Sequence, residues 1–289
     1  MTCIKKWSLM VTMVLLFSLL LTPFSQALAQ GKTAPGRQVN VKVMTYNIHT
    51  GIGTDGDYNI DRIANTIQQS GADIIGLQEV DVNWSDRSNF QNELKRLAEK
   101  LDMHYFFAPI YNRDPIQPDD PRRKFGVAIL SKHPILQADN HEITRLSTQD
   151  PHPEPKPSPG FAEALINVKG AKLWFYVTHL DYRSEPIVRQ MQVEDMLNVM
   201  QAHNNKILVG DMNATPKADE LQPLFQRFKD TWDITQQDEG LTYPAYAPTK
   251  KIDYILTTPD MDVQSTDVIQ TMASDHLPVT ADVTLTRGR

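Results

Sequence analysis

The chain predicts an α/β protein of the α+β type, with helices covering largely antiparallel sheets, and three observations predict it. Apolar residues recur at i, i+3, i+4 and i+7 in some segments and alternate or run unbroken in others, so helical and strand periods both occur. Several strand-like runs follow one another with no helix between them, which implies hairpins. The order strand, helix, strand, hairpins and then helix, strand, hairpins gives the pattern twice, without a repeat of sequence.

Residues 41–48 alternate apolar side chains and are expected as a strand. Ile60, Ile63, Ala64 and Ile67 form a helical stripe behind Asn59, a suitable N-cap. Residues 73–80 are expected as a buried strand, and Phe90, Leu94, Leu97, Ala98 and Leu101 mark a second helix introduced by Ser88. Strand-like runs follow at 104–108, 125–131, 135–143, 162–168 and 173–180, with Lys169-Gly170 as the turn between the last two. Val193, Leu197 and Met200 support a third helix from near Ser184; 206–210 is a short buried strand and 221–228 a helix. Strands at 252–257, 263–270 and 279–286 close the chain. Residues 147–160 carry five prolines and almost no apolar side chain, and are expected to form an exposed loop.

The first 29 residues have the three parts of a signal peptide: Lys5 and Lys6, an apolar run over 8–21, and Ala27-Leu28-Ala29 as a small-x-small cleavage site. Cleavage after Ala29 would make the protein secreted, to the extracellular space or the exterior of the cell envelope. Cys3 precedes the apolar run, so lipidation is not expected, and the mature chain would hold no thiol and no disulfide. Residues 30–40 are expected as a linker and 41–289 as a single domain, long enough to be held by its own core. Loss of the leader, with two lysines and no acid, moves the formal net charge from −6 to −8. That sign weighs against broad capture of nucleic acid by a basic face.

Four apolar strands end in polar, metal-competent residues: Asn47 and His49, Gln78 and Glu79, His179 and Asp181, Asp211 and Asn213. A fifth group, Ser274-Asp275-His276, precedes the last strand. Each taken alone has a bland explanation as a cap, a turn or a satisfied histidine. Their recurrence at corresponding places, where rigid scaffolds carry functional groups, does not.

In order along the chain, Thr45-Tyr46-Asn47-Ile48, Gln78-Glu79-Val80, Thr178-His179-Leu180, Gly210-Asp211-Met212-Asn213, Ile252-Asp253-Tyr254 and Ser274-Asp275-His276 resemble the signature segments of the endonuclease/exonuclease/phosphatase superfamily. The resemblance runs over residues 41–282 and implies a two-layer, largely antiparallel β-sandwich flanked by helices on both sides, with the site at one end. It implies a metal-dependent hydrolase acting on phosphate ester bonds. Glu79 would bind the metal, with Asn47 and Asp275 as further candidates, and Mg²⁺ is the expected ion, with Mn²⁺ possible. Asp211 would orient and deprotonate the attacking water, and Asn213 would touch phosphate or metal. His276, with its tautomer fixed by Asp253, and His179 would face the phosphate. One departure is His49, where several members carry an acid; it is a poorer Mg²⁺ ligand and is a candidate for contacting substrate.

The substrate is less legible. Arg122, Arg123 and Arg183, with Arg87 and Lys124, are basic residues expected near the mouth, where they either grip a second anionic group or form an ordinary solvated cluster. A lipid headgroup or small phosphodiester is favoured by the acidic charge and expected export. A secreted nuclease and a phosphomonoesterase of sugar or inositol phosphates follow, and a catalytically dead binding module comes last. The expected partner is the phosphate ester itself, with no obligate protein partner and a monomeric chain.

Overall fold

The computed structural model describes residues 36–236 and 238–287; the expected signal peptide lies outside them. In chain order the elements are β1 (Gln38–Asn47), α1 (Ile60–Ser70), β2 (Ile74–Val82), α2 (Glu93–Leu101), β3 (His104–Arg113), β4 (Arg123–Ser131), β5 (Ile135–Arg145) and β6 (Lys156–Val168). They continue with β7 (Ala171–His179), α3 (Ile187–Met200), β8 (Lys206–Asp211), α4 (Gln222–Phe225), β9 (Lys229–Asp230), α5 (Thr231–Thr235), β10 (Asp253–Thr257), β11 (Asp262–Val268) and β12 (Val279–Thr286).

Two six-stranded sheets result, ordered β11-β12-β1-β2-β4-β3 and β5-β6-β7-β8-β10-β9. Each has one parallel pair at its centre, β1–β2 and β7–β8, and antiparallel neighbours on either side. Strand alternation explains the layering. Val39, Val41 and Val43 of β1 meet Phe175, Val177 and Val209 of the other sheet in the central core. Met44 and Tyr46 face the opposite way, into a layer with Ile63 and Ile67 of α1 and Leu94 and Leu97 of α2. On the far side Tyr176, Leu208 and Tyr254 pack on Val193, Met196 and Met200 of α3. This is the expected two-layer sandwich with helices on both outer faces.

Gly76 lets the sheets approach: a Cβ there would lie 2.3 Å from Val209 Cγ2 and 2.8 Å from Val177 Cγ2. Gly76→Ala is therefore expected to destabilise the protein by about 1–3 kcal/mol through overpacking. Urea unfolding measures it; an unchanged midpoint would show that the sheets give way freely.

Several expected boundaries are corrected. β1 starts at Gln38 because it pairs with β12 out to Gln38↔Thr286, so the linker ends earlier than residue 40. The second helix starts at Glu93, capped by Asn92, because the Ser88 hydroxyl is spent on buried Asp81 Oδ2 at 2.8 Å. The proline-rich loop is shorter than expected: β6 begins at Lys156, with Pro157 opposite Thr144. That stretch extends beyond β7, whose pairing starts at Ala162, so prolines sit on a free edge where a missing N–H costs little. The third helix starts at Ile187 behind Pro186, and the helix expected over 221–228 is reduced to the single turn α4.

Candidate active site

The two parallel pairs decide where the chemistry sits. β1, β2, β7 and β8 all carry their C-terminal ends to one end of the sandwich, and β10 and β12, antiparallel to β8 and β1, begin there. Register brings His179 opposite Asp211, and Asp211 opposite Asp253. Gly210 is required by this packing, since a Cβ would lie 2.3 Å from the Thr178 carbonyl oxygen.

Glu79 reaches the site through a β-bulge. The pairing of β2 with β4 slips between Leu77 and Val80, and both of those side chains stay in the outer core. The extra residue adopts φ +56°, which frees the Glu79 side chain to turn towards the cleft. There its Oε1 accepts the Asn47 amide at 3.1 Å. Gln78, by contrast, is buried and spends its amide on the Gly76 carbonyl at 3.3 Å, in the sheet rather than the site.

Asp211 is the hub. Its Oδ1 accepts the Asn213 backbone N–H at 2.8 Å. Its Oδ2 accepts Asn47 Nδ2 at 3.0 Å and faces His179 Nε2 at 3.5 Å and His276 Nε2 at 3.7 Å. His276 Nδ1 donates to Asp253 Oδ2 at 2.9 Å, and the Thr242 hydroxyl donates to the same oxygen at 2.6 Å. The Ser274 hydroxyl donates to the Asn47 carbonyl oxygen at 2.7 Å, tying the last signature segment to the first.

Electrostatics divides these groups. Burial works against the charge on His276, but Asp253 and Asp211 outweigh it and push its pKa up to about 10. Burial, and after it Asp253, raises Asp211 above the ordinary carboxylate value, against the two imidazoles. Burial also opposes ionisation of Glu79, yet His179, the Asn47 amide and His49 together hold its carboxyl below the usual value. The pattern is a proton-accepting carboxylate beside a cationic imidazole.

Glu79 and Asp275 both line a cleft of about 610 Å³. Carboxylate oxygens are the donors a hard divalent cation prefers. Asp211, Asp253 and His276 also bring one donor atom each within 4.8 Å of one another. Within that trio the His276 Nδ1–H is already given to Asp253, and the two aspartates raise the imidazole's pKa, which favours holding a proton there. Asn47 differs from expectation. Its Nδ2 bridges Glu79 and Asp211 while its oxygen takes the His49 N–H at 3.1 Å, so its amide nitrogen is the end that faces the two carboxylates.

The other expected residues divide. Asn213 lines the cleft. His49 stands beside it, with Nδ1 3.2 Å from the Ile52 oxygen and 3.6 Å from Asp275 Oδ1. Arg122, Arg123 and Arg183 are not among the cleft-lining residues, which corrects the expected basic rim. Arg122 binds Asp114 at 2.5 Å and Asn112 Oδ1 at 2.7 Å, and Arg123 the Asp114 carbonyl at 2.9 Å, inside their own hairpin. Arg183 pairs with Asp181 and with the Leu146 carbonyl. Sequence reasoning missed Thr242, Tyr243, whose ring lies 4.7 Å from that of His276, and the cleft-wall pair Arg189–Glu220 at 2.7 Å. A separation of 31 positions between Arg189 and Glu220 leaves no local signal; the Tyr243-Pro244 turn dipeptide was the one visible cue.

A sandwich whose central strands deliver carboxylate, amide and imidazole groups around one cleft defines a metal-dependent hydrolase of phosphate esters. The sequence model of the Endonuclease/Exonuclease/phosphatase family matches residues 44–276, and the chain belongs to that family. An endonuclease/exonuclease/phosphatase from Beutenbergia cavernae is similar, at 22% identity over 86% of this chain and 72% of that one, with a TM-score of 0.66. A mannosyl-6-phosphatase from Bacteroides thetaiotaomicron matches at 19% identity over 84% and 99%, TM-score 0.64. The human Nocturnin catalytic domain with bound sulfate matches at 18% identity over 88% and 100%, TM-score 0.61. At these identities the likeness is one of fold.

Proposed function

We propose that the protein hydrolyses a phosphodiester by in-line attack of a water activated by Asp211, and that it does so as a secreted enzyme after removal of residues 1–29. The observation that carries the reaction is the surrounding of Asp211 Oδ2 by Asn47, His179 and His276 at 3.0, 3.5 and 3.7 Å on the cleft wall. A divalent ion held by Glu79 and Asp275, Mg²⁺ with Mn²⁺ as the alternative, would supply positive charge to the phosphoryl oxygens. Asn213 fixes one oxygen of Asp211 and leaves the other to take the water's proton. His276, kept protonated beside Asp253, and His179 offer ring N–H groups to the phosphoryl oxygens, and Asp253 keeps the proton on His276 Nδ1.

Room beside the reactive centre supports a diester. The cleft continues past His179 and Tyr182 into a second recess of about 80 Å³ beside Tyr111 and Phe125. The formal charge of −6 and the internal pairing of Arg122 and Arg183 favour a lipid headgroup or another small diester over nucleic acid.

Turnover of bis(p-nitrophenyl) phosphate with Mg²⁺ is expected to exceed that of p-nitrophenyl phosphate and to vanish in chelator. Preference for the monoester sinks the diester reading, and turnover in chelator sinks the metal reading. Glu79→Gln is expected to raise the Mg²⁺ concentration for half-maximal turnover by about tenfold or more; an unchanged titration would remove Glu79 from the metal. Secretion is checked by sequencing the N-terminus of exported protein, which should begin at Gln30.

A further inference from the structure

Beyond the second recess lies a pocket of about 240 Å³, joined to it through Ile110, Tyr111 and Arg145. Its far wall is the proline-rich segment, which contributes Ser147, Gln149, Lys156 and Ser158. Three cations line it, Arg113, Arg145 and Lys156, against one acid, Asp150. That balance is the reverse of the chain's own, with 35 acids to 29 lysines and arginines.

Arg145 is the unusual member. It is 9% exposed, and among the described residues no carboxylate lies within ion-pair distance of it. Its guanidinium instead donates to three backbone carbonyls: Pro159 through Nε at 2.9 Å, Gly160 at 2.8 Å and His179 at 3.2 Å. A guanidinium has five N–H donors, so two are left over. Burying an arginine without a counter-anion is costly, and carbonyl dipoles offset only part of the loss. Arg113 is similarly free of acids, with one bond to the Gln149 carbonyl at 3.3 Å. Lys156 has a loose, exposed pair with Asp150 at 3.6 Å. Planar guanidinium groups around a small polar pocket are suited to a tetrahedral oxyanion.

We propose that the pocket bounded by Arg113, Arg145 and Lys156 binds a phosphate-type oxyanion, carried on the substrate beyond the scissile phosphate. The proline-rich segment is then one wall of a subsite rather than a bare surface loop. The bond from Arg145 to the His179 carbonyl joins this subsite to the reactive centre.

The substrate form of the proposal rests on the phosphodiester reading; anion binding does not. Two assays on the full chain separate them. The first compares two nitrophenyl phosphodiesters whose other arm ends in a phosphate or in a hydroxyl. The second counts inorganic phosphate bound, by calorimetry. The expected results are a preference of about tenfold in kcat/KM for the phosphate-tipped arm, and a second equivalent of bound phosphate. Both should be lost in Arg113→Gln and in Lys156→Gln, at a half-buried and an exposed position chosen because Arg145→Ala risks the fold. A second equivalent lost in the variants without any substrate preference assigns the site to free phosphate. The same loss in a protein inert on both diesters keeps the site and sinks the diester reading. One equivalent with no preference, or variants that retain both, overturns the proposal.

Discussion

Replacing Asp211 with asparagine is expected to lower kcat/KM by about 10³-fold while leaving the fold intact. Asn213 N–H can still bond the side-chain oxygen that replaces Oδ1, so the turn keeps its shape. The other position, which Asn47, His179 and His276 all address, becomes an amide that cannot take a proton at neutral pH. The loss should therefore fall on kcat, with substrate binding affected less. Kinetics under saturating metal, with the melting temperature as control, measure it. Retention of more than about a tenth of the activity would assign the base to another group.

The second large effect concerns Asp253. His276 is held at a pKa of about 10, against burial, chiefly by Asp253. A raised pKa means that the charged form is kept from acid pH up to that value and is lost as pH rises through it. Wild-type activity should accordingly have an alkaline limb near 10, and Asp253→Asn should draw that limb down towards the ordinary imidazole value of 6.5. At pH 8 the variant is expected to lose about 30-fold in kcat, since only about 3% of an imidazole at 6.5 keeps its proton there, and the gap should narrow as pH falls below 6.5, where either imidazole is protonated. The same sign applies to stability: the His276–Asp253 pair stabilises fully below 6.5, and its contribution disappears through pH 10. A pH profile whose alkaline limb does not move would mean that Asp253 acts only as a scaffold.

The layering and the reactive centre were legible because both follow from local patterns. Strand periodicity placed Val41, Val43 and Phe175 in strands whose inward faces form the core, and ordered motifs brought Asp211, His276, His179 and Asp253 together. What escaped depends on side-chain direction. Nothing in Gln78-Glu79-Val80 announces a bulge that sends one residue into the cleft and its neighbour into the sheet. Asn47 is placed correctly, but which end of its amide meets the site is set by two carboxylates distant in sequence. Arg122 precedes and Arg123 begins β4, a strand that starts at the site end, yet both arginines are held by Asp114 and Asn112 of their own hairpin.

The division of the constellation between two sheets has a mechanical consequence. Asn47 and Glu79 ride on one sheet, and His179, Asp211 and Asp253 on the other. The 3.0 Å bond from Asn47 to Asp211 spans the seam. One residue along a strand is about 3.3 Å, more than that bond can stretch. Turnover thus works as a ruler for the alignment of the two layers. Substitutions at Val43, Val177 or Ala281, deep between the sheets and remote from any reacting atom, can shift one layer against the other and slow the chemistry while the protein remains folded.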